Sequence, residues 1–129
     1  MTKIQKLNTE AAPGAIGPYS QALIAGDYIF ISGQLPIDLS SQKLIDGNIE
    51  MMTHLAIDHL EAILKAAGLS LTNVVKTDIF LKDLADFQEM NRAYAKRFNF
   101  PAAPARVAIQ AGKLPMDARI EISCIAYRK

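Results

Sequence analysis

Arg106 is the residue whose setting most clearly suggests chemistry. It lies in the segment FPAAPARVAIQAGKLP, where Pro101 and Pro104 fix φ and restrict the residues before them, so the chain should reach the arginine extended and rigid. Two interpretations are open. The guanidinium pairs with a carboxylate of the same domain or of a neighbouring subunit, or its planar fork binds a small carboxylate ligand in a water-poor cleft.

Glu121 is the second candidate, in the apolar segment IEISCIA. Simple alternation predicts a solvated side chain, whereas a partly apolar site would shift its pKa and let it move protons near neutral pH. The loop between the last two strands decides which face it shares with Arg106. Pairing Gly112 with Ala118 places the two side chains on opposite faces, and a one-residue bulge places them together.

Three other polar residues have less specific settings. Asn91 interrupts an apolar helix stripe and needs hydrogen-bond partners if it is buried, for which capping or backbone bonding is the usual outcome. Tyr19 in GPYSQ and Ser32 in ISGQLP are flanked by glycine and proline, which let backbone amides approach a ligand closely. The same flanks are equally typical of ordinary turns.

Signatures of metal and cofactor binding are weak in this sequence. His54 and His59 are five residues apart on a predicted helix, so they point in different directions, and neither has a partner at ligand spacing. The dinucleotide, P-loop and nucleophile-elbow patterns are missing as well. The lone Cys124 lies in an apolar strand and is expected to be buried packing. We therefore expect neither a metal nor a cofactor.

Hydrophobic periodicity predicts the elements that position these residues. Strands are expected over 4–7, 22–25, 28–32, 74–83, 106–111 and 119–127, with a Gly26-Asp27 turn joining the second and third. Two amphipathic helices are expected, one ending at Gly68 and one following Asp83 as its N-cap. The predicted order is βββαβαββ.

The apolar content predicts an oligomer. The 129 residues are 50% hydrophobic and 21% charged, which is typical of one globular domain, 1–129. Two helices can cover only one face of a six-stranded sheet. Successive residues of a strand point to opposite faces, yet both sets are apolar here: Tyr28 and Phe30 would face one side, and Ile29 and Ile31 the other. An uncovered apolar sheet face indicates a symmetric homo-oligomer.

The charge and the lack of targeting signals argue against a nucleic-acid-binding, secreted or membrane-spanning protein. The formal net charge is +1 and the 14 basic residues are scattered, so nucleic acid is not an expected partner. The N-terminal segment lacks the apolar run of a signal peptide, and no segment approaches the length of a membrane span. These features predict a cytoplasmic protein with no membrane partner.

Five segments in the same order resemble the reactive intermediate deaminase family, the Rid or YjgF-like proteins. They are IGPYSQA, ISGQLPID, KTDIFLKDLADFQEMNRAYAKRF, PARVAI and KLPMDARIEISCIAYRK. The resemblance covers nearly the whole chain. It implies an α+β, chorismate mutase-like fold, a six-stranded mixed sheet with two helices on one face, and a homotrimer with ligand sites between subunits.

The resemblance also implies an activity and its residues. Members of the deaminase branch hydrolyse 2-iminopropanoate and 2-iminobutanoate to 2-oxoacids and ammonia without a cofactor. Arg106 matches the arginine that binds the substrate carboxylate, and Glu121 matches the acid that handles the attacking water. Family members often have cysteine where this chain has Ala108, which affects pocket size and substrate range. The other matching substrate-binding positions are Tyr19, Ser32, Gly33 and Asn91.

Two other functions remain as alternatives. A non-catalytic protein that binds small carboxylates and regulates a metabolic enzyme would keep Arg106, while Glu121 would be dispensable. Ribonuclease or translation-inhibitory activity has been ascribed to some relatives, but the weak net charge and the absence of a histidine pair argue against it.

Overall fold

The structure, a computed structural model, describes residues 3–129. Helix α1 spans Ile49–Ala66. Asn48 caps its start, because the Asn48 Oδ1 accepts a hydrogen bond from the Met51 N–H at 2.9 Å. The chain leaves the helix through Gly68, whose φ of 75° is readily adopted only by glycine. The predicted first helix is therefore confirmed, with its end two residues earlier.

The second predicted helix begins differently from the expectation. The Asp83 carboxylate accepts a hydrogen bond from the Ala85 N–H at 2.9 Å, as a cap does. It starts a 3-10 turn at Leu84–Asp86, however, and α2 itself spans only Phe87–Arg97.

Six strands form one mixed sheet in the order β1-β2-β3-β8-β6-β7. Their bounds are β1 Ile4–Leu7, β2 Ala22–Ala25, β3 Tyr28–Gln34, β6 Val74–Leu81, β7 Ala105–Gln110 and β8 Ile120–Tyr127. Two short strands, β4 Ile37–Asp38 and β5 Lys43–Leu44, form a separate hairpin that the sequence did not predict.

The last two long strands do not pair with each other. The register argument from the sequence assumed that β7 and β8 form a hairpin, and this was wrong. Instead β6 lies between them, parallel to β7 and antiparallel to β8. The pairing of Gly112 with Ala118 therefore does not occur, because the chain crosses over β6 before β8 begins.

One face of the sheet is covered by both helices. Apolar side chains from α1, α2 and alternate strand positions fill this layer. The largest buried ones are Ile29, Ile49, Ile57, Leu60, Ile63, Leu64, Ile79, Leu81, Met90, Ile120 and Ile122. The fold is thus an α+β sheet with two helices on one face, as the resemblance implied.

The other face of the sheet is open and partly apolar. Phe30 is 46% exposed, Val107 45% and Ile109 45%, and the rings of Tyr28 and Tyr127 pack on each other with centroids 5.3 Å apart. Apolar side chains are therefore present on both faces of the sheet, as expected. Among residues 3–129, neither helix is long and apolar enough to cross a bilayer.

Candidate functional site

Arg106 lies on the helix-covered face of the edge strand β7. It pairs in register with Thr77 of β6, and Thr77 in turn with Cys124 of β8, both of which are buried. The Arg106 Nη1 donates a hydrogen bond of 2.6 Å to the Asn91 Oδ1 on α2. Asn91 thus finds its partner in a guanidinium rather than in a cap or the backbone.

Two aromatic rings hold the same guanidinium. The Cζ of Arg106 lies 4.8 Å from the ring centroid of Tyr94 and 5.6 Å from that of Phe87. A guanidinium at these distances is attracted to the negative face of each ring. Asn91, Phe87 and Tyr94 share one face of α2 because they are separated by four and three residues. The arginine is therefore fixed by neutral groups.

The Tyr94 ring is itself anchored to the sheet. Its hydroxyl forms a 2.7 Å hydrogen bond with the Oγ1 of Thr77, which is fully buried. Burial raises the pKa of Tyr94, and the hydrogen bond to Thr77 and the charge of Arg106 oppose that shift. The phenol therefore stays neutral at physiological pH and serves as a fixed support for the arginine.

The same-chain ion pair that the sequence left open for Arg106 is not formed. Within residues 3–129 every recorded ion pair involves another cation, and the one hydrogen bond of the Arg106 side chain goes to the neutral Asn91 amide. Its Nε and Nη2 have no partner in this part of the chain. The guanidinium thus has donors available for an anion.

Glu121 lies on the open face of the sheet, next to Gly33. It alternates with the buried Ile120 and Ile122 and pairs in register with Phe80. A Cβ on Gly33 would overlap the Glu121 Oε2 and lie 2.7 Å from its Cδ, so only glycine leaves room for the carboxyl. The irregular register between Ile31 and Gln34 brings Gly33 to this position.

The Glu121 carboxyl is half-buried and lacks a stabilising partner. The structure records no hydrogen bond or ion pair for its side chain among residues 3–129. Burial raises its pKa above the usual value because desolvation disfavours the charged form. A carboxyl with a raised pKa and unused oxygens is suited to accept and return a proton near neutral pH.

Tyr19 and Ser32 lie near this second group. Tyr19 is 54% exposed and borders two depressions, one of about 290 Å³ that Gly33 also lines and one of about 430 Å³ that Ser32 also lines. The Ser32 hydroxyl donates to the Ser20 carbonyl at 2.6 Å. Its proton is therefore already used, and this hydroxyl can only accept a further hydrogen bond.

The sequence-predicted site residues thus form two groups. Arg106, Asn91 and Ala108 lie between β7 and α2 on the helix-covered face. Glu121 and Gly33 lie on the open face, with Tyr19 and Ser32 near them. The two groups are on opposite sides of the sheet, so one copy of the chain does not bring them to the same ligand.

The remaining chemical residues fall outside both groups. His59 donates its Nε2–H to the Ile37 carbonyl at 2.8 Å, whereas the His54 Nδ1 accepts a hydrogen bond from Arg97 at 3.3 Å. Cys124 is buried, and desolvation raises its pKa to about 12, so its thiol stays protonated. Among the described residues, no three side chains of metal-ligating type converge on one point.

Sequence reasoning missed two supports of Arg106. Phe87 and Tyr94 belong to the apolar stripe that Asn91 interrupts on the second helix, and such a stripe is typical of core packing. The signal was the asparagine inside that stripe, since the residues one helical turn away from Asn91 lie beside it. Thr77 had no signal, because a threonine in a strand is common.

Comparisons with known proteins agree with this architecture. A protein-family model described as Endoribonuclease L-PSP matches residues 9–128. The chain belongs to this family. Its relatives include proteins named as reactive intermediate deaminases, so the Rid resemblance seen in the sequence is confirmed.

Individual relatives of this Rid protein carry different names. A 2-iminobutanoate/2-iminopropanoate deaminase of Homo sapiens is 46% identical over 124 residues, covering 95% of this chain and 88% of that protein. A RutC family protein of Pyrococcus horikoshii is 47% identical over 121 residues, covering 94% of this chain and 95% of that protein. The crystal structure of E. coli TdcF with bound serine superposes with a TM-score of 0.90 at 35% identity, covering 97% of this chain and 99% of that one.

Proposed function

We propose that this protein hydrolyses small 2-imino acids, such as 2-iminopropanoate and 2-iminobutanoate, to 2-oxoacids and ammonia, without a cofactor and at sites between the subunits of a homotrimer. The observation that carries this proposal is the unpaired guanidinium of Arg106. It is half-buried, it is oriented by Asn91, Phe87 and Tyr94, and it has no carboxylate partner among residues 3–129.

A carboxylate ligand fits this guanidinium. The Nε and Nη2 groups are free to donate two parallel hydrogen bonds, the geometry that a carboxylate accepts. The Cζ lies over the rings of Phe87 and Tyr94, and the Nε and Nη2 donors have no partner among residues 3–129, so they are the part of the guanidinium available to a ligand. A 2-imino acid bound in this way would hold its imine carbon close to Arg106.

Glu121 fits the proton transfers of the reaction. A protonated imine is already electrophilic, so the protein needs to orient it, deliver water and move protons. The Glu121 carboxylate takes a proton from water as the oxygen attacks the imine carbon, and returns it to the nitrogen. Collapse of the carbinolamine then forms the C=O bond and breaks the C–N bond, and the hydroxyl proton passes to the departing ammonia, so that one iminium and one water become one 2-oxoacid and one ammonium.

The position of these two residues favours a site shared by two copies. Arg106 and Glu121 face opposite sides of one sheet, whereas a ligand must contact both. The open sheet face, with Phe30, Val107 and Ile109 exposed, supplies an apolar surface for subunit packing. A cyclic trimer lets the Arg106 side of one subunit meet the Glu121 side of the next.

The relatives support the same class of ligand. The human relative is named for two imino acids, and TdcF was crystallised with serine, which has a carboxylate beside a carbon that bears nitrogen. A 2-imino acid has the same two groups. We therefore extend this class of ligand to the Arg106 of this chain.

Binding of RNA, which the family description suggests, has less support. A ribonuclease needs cations that neutralise phosphates. Here Arg92 pairs with Glu50 at 3.0 Å, Arg119 with Asp86 at 3.0 Å, and Lys82 and Arg97 also contact carboxylates. These pairs neutralise much of the basic surface of the described residues.

The test is direct hydrolysis of a freshly generated imine. An amino-acid oxidase converts alanine to 2-iminopropanoate in the assay, and ammonia and pyruvate are followed with and without the purified protein. We expect formation of both products to exceed the spontaneous rate in proportion to the amount of protein. Product formation at the spontaneous rate would reject the proposal, and retained binding of 2-oxobutanoate would then favour the binding-protein alternative.

A further inference from the structure

Gln21 is a buried polar residue that the proposed reaction does not use. It is only 2% exposed, and a buried amide is costly unless its polar atoms are bonded. Its Oε1 accepts a hydrogen bond from the Thr9 N–H at 2.8 Å, and its Nε2 donates to the carbonyls of Pro13 at 2.8 Å and Thr9 at 3.2 Å. The Ala12 carbonyl lies 3.4 Å from the same nitrogen. One side chain therefore holds the backbone over residues 9–13.

The segment 14–20, named here the tethered loop, runs between two points that this side chain brings together. The loop starts after Pro13, whose carbonyl Gln21 binds, and it ends at Gln21 itself. Its last residue is attached to the sheet, since the Ser20 carbonyl accepts the 2.6 Å hydrogen bond from the Ser32 hydroxyl. The base of the loop is thus closed by side-chain hydrogen bonds rather than by strand pairing.

Inside the loop, few contacts fix the backbone. Residues 14–19 are all exposed, and Ile16 is 87% exposed. Among residues 3–129 their recorded hydrogen bonds stay inside the loop. The Tyr19 N–H donates to the Gly17 carbonyl at 2.9 Å, and the Ile16 N–H donates to the Tyr19 hydroxyl at 3.4 Å. A segment with so few outside contacts takes its position from its two ends.

Tyr19 is the residue of the tethered loop that borders both depressions near Glu121, and it lies two residues before Gln21. The Gln21 amide has two N–H donors, and the carbonyls of residues 9–13 already occupy them. We propose that Gln21 is a positioning residue that closes the base of the tethered loop and thereby sets the position of Tyr19 against the ligand. The inference rests on the proposed function, in which Tyr19 binds the substrate.

The expected effect of losing Gln21 follows from this arrangement. Without the hydrogen bonds at its base the loop would be less ordered, and ligand binding would have to order it, which lowers affinity. Arg106 and Glu121 lie on β7 and β8, with which the Gln21 side chain forms no recorded hydrogen bond among residues 3–129. A ligand that does bind should therefore react at nearly the usual rate, so the loss appears in KM rather than in kcat.

The test is a double-variant cycle on ligand affinity. Gln21→Met keeps the approximate length of the side chain and removes its hydrogen bonds, and Tyr19→Ala removes the ring that the loop carries. We expect Gln21→Met to raise the KM for the alanine-derived imine and the Kd for 2-oxobutanoate about tenfold, with kcat changed less than about twofold. In the Tyr19→Ala protein the same substitution should have little further effect, because it acts through Tyr19.

Thr53→Val is the matched control. It also replaces a fully buried polar side chain that donates to a backbone carbonyl, that of Ile49 at 2.7 Å, but this hydrogen bond stays within α1. This variant should keep the wild-type KM and Kd. If Gln21→Met weakens binding equally with and without the Tyr19 ring, the residue only supports the fold, and the inference is overturned. Unchanged KM and Kd in Gln21→Met overturn it as well.

Two binding measurements separate this inference from the proposed function. If no imine is hydrolysed, the proposed function fails, yet calorimetry with 2-oxobutanoate on the wild type and the variants still tests Gln21. Hydrogen exchange of the wild type needs no variant, so it decides the case if Gln21→Met does not fold. The Thr9 amide should exchange slowly, and 2-oxobutanoate should slow exchange at Ile16 and Tyr19. Fast exchange at Thr9, or exchange in the loop that the 2-oxoacid does not change, overturns the inference.

Discussion

Arg106 and Glu121 lie on opposite faces of the same six-stranded sheet, with strand β6 between their own strands. Arg106 points to the helices, where Asn91 and two aromatic rings fix it. Glu121 points to the open face, above Gly33. If both residues act on one ligand, that ligand must lie between two copies of the chain.

Mixing two inactive variants tests this arrangement. Arg106→Ala and Glu121→Gln proteins should each be impaired alone. After joint unfolding and refolding, roughly a quarter of the sites should contain one intact Arg106 and one intact Glu121 from neighbouring subunits. Activity should therefore return to about that fraction, and light scattering should give three times the 14.1 kDa chain mass. A monomer, or a mixture as inactive as its parts, contradicts the shared site.

Substitution of Arg106 separates a ligand contact from a structural role. Arg106→Lys keeps the charge but loses the planar fork, so turnover should fall even with this conservative change. Arg106→Ala should lower kcat/KM about ten- to a hundredfold or more. Since no carboxylate of residues 3–129 pairs with this arginine, thermal melts should move little. Normal hydrolysis by a variant that melts far below the wild type would refute the assignment.

Glu121→Gln should reduce turnover by about a hundredfold while ligand binding persists. The amide keeps the shape of the side chain but accepts no proton. Calorimetry with a 2-oxoacid and the imine assay measure the two properties on the same sample. Unchanged turnover would instead favour the non-catalytic binding protein.

The same substitution should change how stability depends on pH. Burial raises the pKa of Glu121 above its usual 4.5, so its favourable contribution is complete below that pH and is lost as the pH rises through the raised value. Glu121→Gln should therefore melt above the wild type near about pH 8 and like the wild type near about pH 4. Equal melting temperatures at both pH values would contradict this environment for Glu121.

Gly33→Ala should displace the Glu121 carboxyl. The added Cβ would overlap its Oε2, so the carboxyl must move and turnover should fall toward that of Glu121→Gln. Gly112→Ala is the matched control, because a Cβ there meets nothing within 4 Å. Circular dichroism and the imine assay on both variants distinguish a local displacement from loss of the fold. Full activity of Gly33→Ala would mean that Glu121 is not needed in its present position.

The Thr77 and Tyr94 hydroxyls should stabilise the fold as a pair. Thr77→Val leaves the Tyr94 hydroxyl buried without its 2.7 Å partner, and Tyr94→Phe does the reverse. Each should lower the free energy of unfolding by about 1–3 kcal/mol. The double variant should lose less free energy of unfolding than the two single losses added together. Denaturant unfolding of the wild type, both single variants and the double variant measures these values. Strict additivity would indicate that the hydrogen bond contributes nothing.

The sequence alone determined the six strands of the main sheet, the two helices and the candidate residues, but not the short β4–β5 hairpin. Strand and helix positions followed from alternation and from the three- and four-residue spacing of apolar side chains, which are local properties of the chain. The family and the fold class followed from five segments in order. The apolar residues on both sheet faces were also predictable, because alternation assigns each strand residue to a face.

Only the tertiary structure decided how those residues are arranged. Whether β7 pairs with β8 or with β6 depends on contacts distant in sequence, and the hairpin expectation was wrong because adjacent strands need not pair. That pairing placed Arg106 and Glu121 on opposite faces, and the irregular register near Gly33 made room for the carboxyl. Asn91 was predicted to bind substrate, but its hydrogen bond with Arg106 was not predicted. The two residues are on different elements, α2 and β7, and the helical spacing around Asn91 does not show which strand residue it contacts; the packing of α2 on β7 decides that.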